Sequence, residues 1–120
     1  MTPKQDGRPI FMVLADQIAD DILQGNYPVD SAVPSTNELA AFYRINPATA
    51  GKALGRLVDQ GVLERRRGIG TFVAADGPDI LRAQRREAFH EDFIQPAVAE
   101  ARRLGLTLDD MVALIRKVSP

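Results

Sequence analysis

The chain has 120 residues and carries 15 lysines and arginines against 16 acidic residues, a formal net charge of −1. That length allows one compact domain and a small appendage, and it excludes a barrel enzyme or a two-domain metabolic enzyme. With no cysteine and a single histidine, His90, disulfides, thiolate metal sites, cysteine nucleophiles and histidine clusters are excluded, and no cofactor is implied.

No apolar run approaches the roughly 18 residues that span a bilayer, and the start Met1-Thr2-Pro3-Lys4 lacks the apolar core of a secretory signal. A cytoplasmic protein without membrane contact is expected. The charge is unevenly spread. Residues 1–43 hold two basic and six acidic side chains, whereas residues 44–72 hold six basic and two acidic ones. A basic block inside an acidic chain creates a local field suited to phosphate. The competing reading is that Arg65-Arg66-Arg67 forms a solvated turn.

From Pro9 to Leu23, Phe11, Leu14, Ile18 and Ile22 recur at spacings of three and four, which predicts an amphipathic helix with Pro9 in its first turn and Gly25 ending it. Ser35 and Glu38 form a capping box that opens a second, short helix ending near Tyr43-Arg44, with Leu39, Ala40 and Phe42 or Tyr43 on its buried side. Asn46 as N-cap and Pro47 at the first position start a third helix. Its stripe is Ala50, Ala53, Leu54, Leu57 and Val58, and Gly61 terminates it. Two short helices with about three residues between them read as a helix-turn-helix.

Val62–Arg66 and Thr71–Ala74 follow as two short strands around Arg67-Gly68-Ile69-Gly70, a hairpin of the kind called a wing. Asp76-Gly77-Pro78-Asp79 reads as a turn and a domain boundary. Beyond it, a helix is expected over Ile80–Ile94, then a kink or a new helix at Pro96 running to about Leu104. After Gly105, a last helix is capped by Thr107 and Asp110. The expected fold class is mainly α with a small β-hairpin: a winged helix-turn-helix over residues 8–76 plus a short helical dimerisation tail over residues 77–120.

The stretch Val33-Pro34-Ser35-Thr36-Asn37-Glu38-Leu39-Ala40, then Leu57-Val58-Asp59-Gln60-Gly61-Val62-Leu63, then Gly68-Ile69-Gly70-Thr71-Phe72-Val73 resembles the DNA-binding domain of the GntR family of bacterial transcription regulators. Asn46-Pro47-Ala48-Thr49 and Phe93-Ile94-Gln95-Pro96 are similar to its small YtrA-type branch. The resemblance implies a homodimer that binds double-stranded DNA, with no large effector domain. Most members carry arginines where this chain has Pro47 and Gly51, so the commonest base contact, bidentate arginine to guanine, is absent from those two sites.

Several residues are candidates for DNA contact. Ser35, Thr36 and Asn37 stand at a helix start, which favours phosphate. Asn46, Ala48, Thr49 and Lys52 lie on the third helix, where Thr49 offers a hydroxyl or a methyl and Lys52 a charge. Arg66, Arg67, Gly68 and Gly70 belong to the wing. Alternation prevents the three arginines from facing one way, and Arg67 is the first choice because Gly68 lets backbone approach DNA closely. Gly51 and Gly55 share a face with Ala48 and Lys52, either to bring the helix deep into the groove or as glycines the helix merely tolerates.

In the tail, Phe89, Phe93, Ile94, Leu108, Met111 and Ile115 are candidates for a dimer interface, because a domain of this size cannot cover so many apolar side chains. A two-fold dimer would set its recognition helices about 34 Å or a multiple apart on a palindromic operator. Arg82, Arg85 and Arg86 are candidates for an anionic small-molecule effector near the dimer tail, against a solvated face. The functional reading is a homodimeric repressor. The alternative is a winged-helix protein-interaction module without DNA binding. A small enzyme has no nucleophile–base pair to support it.

Overall fold

The computed structural model describes residues 7–120, so the reading of the opening residues 1–6 lies outside the described residues. In chain order the elements are α1 (Ile10–Leu23), α2 (Thr36–Tyr43), α3 (Pro47–Asp59), β1 (Leu63–Arg66), β2 (Gly70–Val73) and α4 (Gly77–Phe89). A π-helical turn (His90–Ile94), α5 (Gln95–Arg103) and α6 (Leu108–Val118) follow. The chain is mainly helical with one antiparallel hairpin, a winged helix-turn-helix. It divides into two compact units, residues 1–83 and 84–120.

The first unit is built on the apolar stripes read from the sequence. Leu14, Ile18 and Ile22 of α1, Leu39 and Tyr43 of α2, and Ala50, Ala53, Leu54 and Leu57 of α3 share one core with Val62, Leu63, Val73 and Leu81. Of the two aromatic candidates on α2, Tyr43 is buried and Phe42 is exposed, set edge-on to it at 4.9 Å between ring centroids.

The helix ends follow from their caps. Pro9 stands one residue ahead of α1, and its carbonyl accepts the N–H groups of Met12 and Val13. α2 stops because Arg44 takes the left-handed conformation, φ 55°, and the Ile45 N–H closes onto the Ala40 carbonyl at 3.0 Å. Asn46 then opens α3, and its side chain accepts the Ala48 N–H at 2.8 Å.

Two findings depart from the sequence expectations. A stretch before α2 joins the wing: Ala32 pairs with Phe72, and the Val33 N–H donates to the Thr71 carbonyl at 2.9 Å. Of the expected turn at Asp76–Asp79, Asp76 lies in a turn and the remainder is the start of α4. Pro78 is tolerated there because the first N–H groups of a helix have no intrahelical partner. Gly77 is required by space, since a Cβ on it would lie 2.5 Å from the Val62 carbonyl oxygen.

At Pro96 a new helix begins, one of the two expected alternatives. The missing proline N–H and the bulk of its ring are absorbed by a π turn, in which the Gln95 N–H reaches the His90 carbonyl, and α5 begins directly after it. In the second unit, α6 carries the expected capping box. The Thr107 hydroxyl accepts the Asp110 N–H at 3.1 Å, and the Thr107 N–H donates to the Asp110 carboxylate at 2.9 Å. Among the described residues, no helix is long and apolar enough to cross a membrane.

Candidate nucleic-acid interface

The start of α2 forms one edge of the site. The Ser35 hydroxyl accepts the Glu38 N–H at 3.1 Å, and the Ser35 N–H donates to the Glu38 carboxylate at 3.0 Å. The Ser35 backbone N–H, and then its hydroxyl, hold the Glu38 carboxyl below its ordinary value of 4.5. Ser35 is therefore occupied as a cap, while Asn37 stands exposed beside it. Thr36 points its methyl toward α3, and a Cβ added to Gly51 would meet it at 3.8 Å.

The outward face of α3 lies between this helix start and the wing. Ala48, Lys52 and Arg56 are exposed, and Thr49 is half-buried. The Lys52 ammonium sits 5.6 Å from the Phe11 ring centroid, a cation–π contact that orients it while leaving its head in solvent. Gly51 faces Thr36, and Gly55 faces the Arg65 guanidinium at 3.8 Å from its virtual Cβ. Both distances are ordinary van der Waals contact, so packing inside the chain does not demand glycine at either place.

In the wing, Leu63 pairs with Val73 and Arg66 with Gly70, which leaves Arg67, Gly68 and Ile69 as the loop. The Ile69 N–H closes the turn on the Arg66 carbonyl at 2.9 Å, and Gly68 supplies the positive φ of 74° that the turn needs. Ile69 is 73% exposed at the tip. Strand alternation sorts the three arginines. Arg65 shares the face of buried Leu63, toward α3.

Arg66 lies on the opposite face of the strand. It pairs with Asp30, reaches Glu64 at 3.5 Å and lies 4.1 Å from the Phe72 ring centroid. The hydrogen bond it donates to the Asp30 carboxylate keeps the Arg66 guanidinium above its ordinary pKa. Arg67 is exposed in the loop and, among the described residues, has neither hydrogen bond nor ion pair.

These pieces form one continuous surface. Ser35, Thr36 and Asn37 on one side and Ile69, Gly70 and Thr71 on the other line a cleft of about 400 Å³, with Leu54 of α3 in its floor. Asn46, Ala48, Thr49 and Lys52 occur along α3, as the sequence places them. Arg66 is drawn aside by Asp30. The sequence reading did not single out Asp30, Arg65 or Ile69. Period-two alternation from Leu63 marks Arg65, but nothing local marks the pairing of Asp30 with a residue 36 positions later.

The second unit has a different surface. Phe89 and Phe93 lie 5.8 Å apart between centroids, and both are exposed, as are Ile94, Leu108 and Ile115, with Met111 half-buried. Of the arginines considered for an effector, Arg82 pairs with Asp79 at 3.2 Å within its own helix. Among the described residues, no group of three acidic or histidine side chains is placed to hold a metal ion.

The family model described as bacterial regulatory proteins, gntR family, matches residues 13–73. The chain belongs to the GntR family. It is 30% identical over 114 residues to the HTH-type transcriptional regulator YhcF of Bacillus subtilis, covering 93% of this chain and 91% of that one. To the HTH-type transcriptional repressor YtrA of the same organism it is 27% identical over 111 residues, 92% of this chain and 85% of that one.

Among solved structures, the DNA-binding domain of AraR in complex with operator ORX1 is 33% identical, with a TM-score of 0.57 over 62% of this chain and 95% of that one. This GntR protein is thus a transcriptional regulator of YtrA type with a DNA-binding helix-turn-helix domain.

Proposed function

We propose that this GntR-family protein is a homodimeric repressor that holds a palindromic operator with α3 and the wing, its two copies joined through the helical tails. In this reading, residues 8–76 bind DNA and residues 77–120 dimerise. One observation carries it. The outward face of α3 combines small residues with exposed Lys52 and Arg56, and it is flanked by Thr36 at the start of α2 and by Arg65 of the hairpin.

The parts have distinct roles. Ser35, Thr36 and Asn37 present a helix N-terminus to a phosphate. Asn46, Ala48, Thr49 and Lys52 meet the major groove, with Thr49 and Lys52 supplying polar contacts. Arg67, Gly68 and Gly70 carry the wing against the backbone, and Arg66 supports that hairpin through Asp30 and Phe72. Gly51 and Gly55 let the helix backbone approach the groove floor, which is a reason for glycine where internal packing gives none.

Repression is supported by the relative named as a repressor, and operator binding by the AraR complex. Selection of bound oligonucleotides from a random pool by the full-length protein tests the reading. Palindromic sites with a fixed half-site spacing are expected. Recovery of no enriched sequence would remove DNA recognition, and enrichment of single half-sites would remove the two-fold arrangement.

A further inference from the structure

The helix α3 offers little side chain with which to read bases: Pro47, Ala48, Gly51 and Gly55 occupy much of its outward surface. Besides exposed Arg56 in the last turn of the helix, a second guanidinium lies at that surface, and it comes from the neighbouring strand. Arg65 of β1 follows buried Leu63 on the face turned to α3, and its Nη2 lies 3.8 Å from the point where a Cβ of Gly55 would be. Arg65 is exposed and has no hydrogen bond or ion pair among the described residues. Its neighbour Arg66, by contrast, is held by Asp30 and Glu64.

We infer that Arg65 is a specificity-determining residue: the strand delivers to the recognition surface, beside Gly55, an arginine that positions 47 and 51 of the helix do not supply. This rests on the DNA-binding reading above. A planar guanidinium beside a helix seated in the major groove suits the paired acceptors of one guanine, N7 and O6. Lysine, a single point charge, cannot make both bonds. Arg67 differs, since it sits exposed in the wing loop and suits phosphate.

The test is the same random-pool selection run on full-length wild type, Arg65→Ala, Arg65→Lys and Arg67→Ala, each checked for an unchanged thermal unfolding curve. Wild type should show a guanine preference at one position of each half-site. Arg65→Ala and Arg65→Lys should both lower that preference at least tenfold while the other positions keep theirs. Arg67→Ala should leave every preference in place.

Uniform weakening by Arg65→Ala with all preferences retained would overturn the inference, as would a full guanine preference in Arg65→Lys. If wild type itself enriches nothing, it is the DNA-binding reading that fails. If wild type selects a site that Arg65→Ala reproduces, only the role of Arg65 fails.

Discussion

The two compact units of the chain solve the problem of apolar surface in opposite ways. In the amino-terminal unit, three helices and a hairpin cover one another, and side chains such as Leu14, Leu54 and Leu63 are at most 2% exposed. In the carboxyl-terminal unit, Ala101 is the one buried hydrophobic among the described residues, while Phe93 is 64% and Leu108 74% exposed. Both units have well-formed helices with complete capping boxes, so the contrast does not lie in local structure. It lies in packing partners. Helices in water gain most of their stability by covering an amphipathic face, and the second unit presents such a face without covering it from its own residues.

The comparison can be broken most directly at the tail. Replacing Phe93 and Ile115 with aspartate should halve the sedimentation mass and weaken operator binding by a factor on the order of 100 or more, because two linked half-sites bind with avidity. A wild-type mass equal to one chain would sink the contrast. In the first unit, Leu54→Ala should lower unfolding stability by about 2–5 kcal/mol, measured by urea titration, because the site is fully enclosed. Ser35→Ala should cost about 1 kcal/mol through the lost cap at α2.

Smaller effects sharpen the picture. Gly51→Ala should raise thermal stability by roughly 0.8–1 kcal/mol from helix propensity, since a Cβ there meets only the Thr36 methyl at 3.8 Å. Operator affinity should fall in the same variant if close approach is the purpose of the glycine. Arg67→Ala should leave stability unchanged and reduce the salt dependence of binding by about one unit of slope per protomer.

The smallest effect is acid-sensitive. Glu38 titrates below its ordinary 4.5 in the folded chain, so its contribution is present above that value and fades as the pH falls through the lowered one. In Glu38→Gln that part of the acid dependence should be absent from pH-dependent unfolding curves.

Much of the fold is legible along the chain because its signals are local. Ser35 with Glu38, Asn46 with Pro47, and Thr107 with Asp110 each place a helix start within four residues, and each is found where it is expected. The stripes of α1 and α3, and the glycines of the wing, are equally short-range. The beginning of α4 was not legible, because a Gly-Pro pair suits both a turn and a first helical turn. The close packing of Gly77 on the Val62 backbone, where a Cβ has no room, joins residues far apart in sequence.

The same division holds at the site. Order along the chain already determines that a basic hairpin follows a well-capped helix, since periodicity, caps and turn residues act over a few bonds. Only the tertiary structure decides what each arginine of that hairpin does. Arg65 lies on α3 because Leu63 must be buried, Arg66 is taken up by Asp30 and Phe72, and Arg67 is left to solvent. Three identical neighbours acquire three environments because side-chain direction in a strand is set by what the sheet packs against, and that partner is remote in sequence.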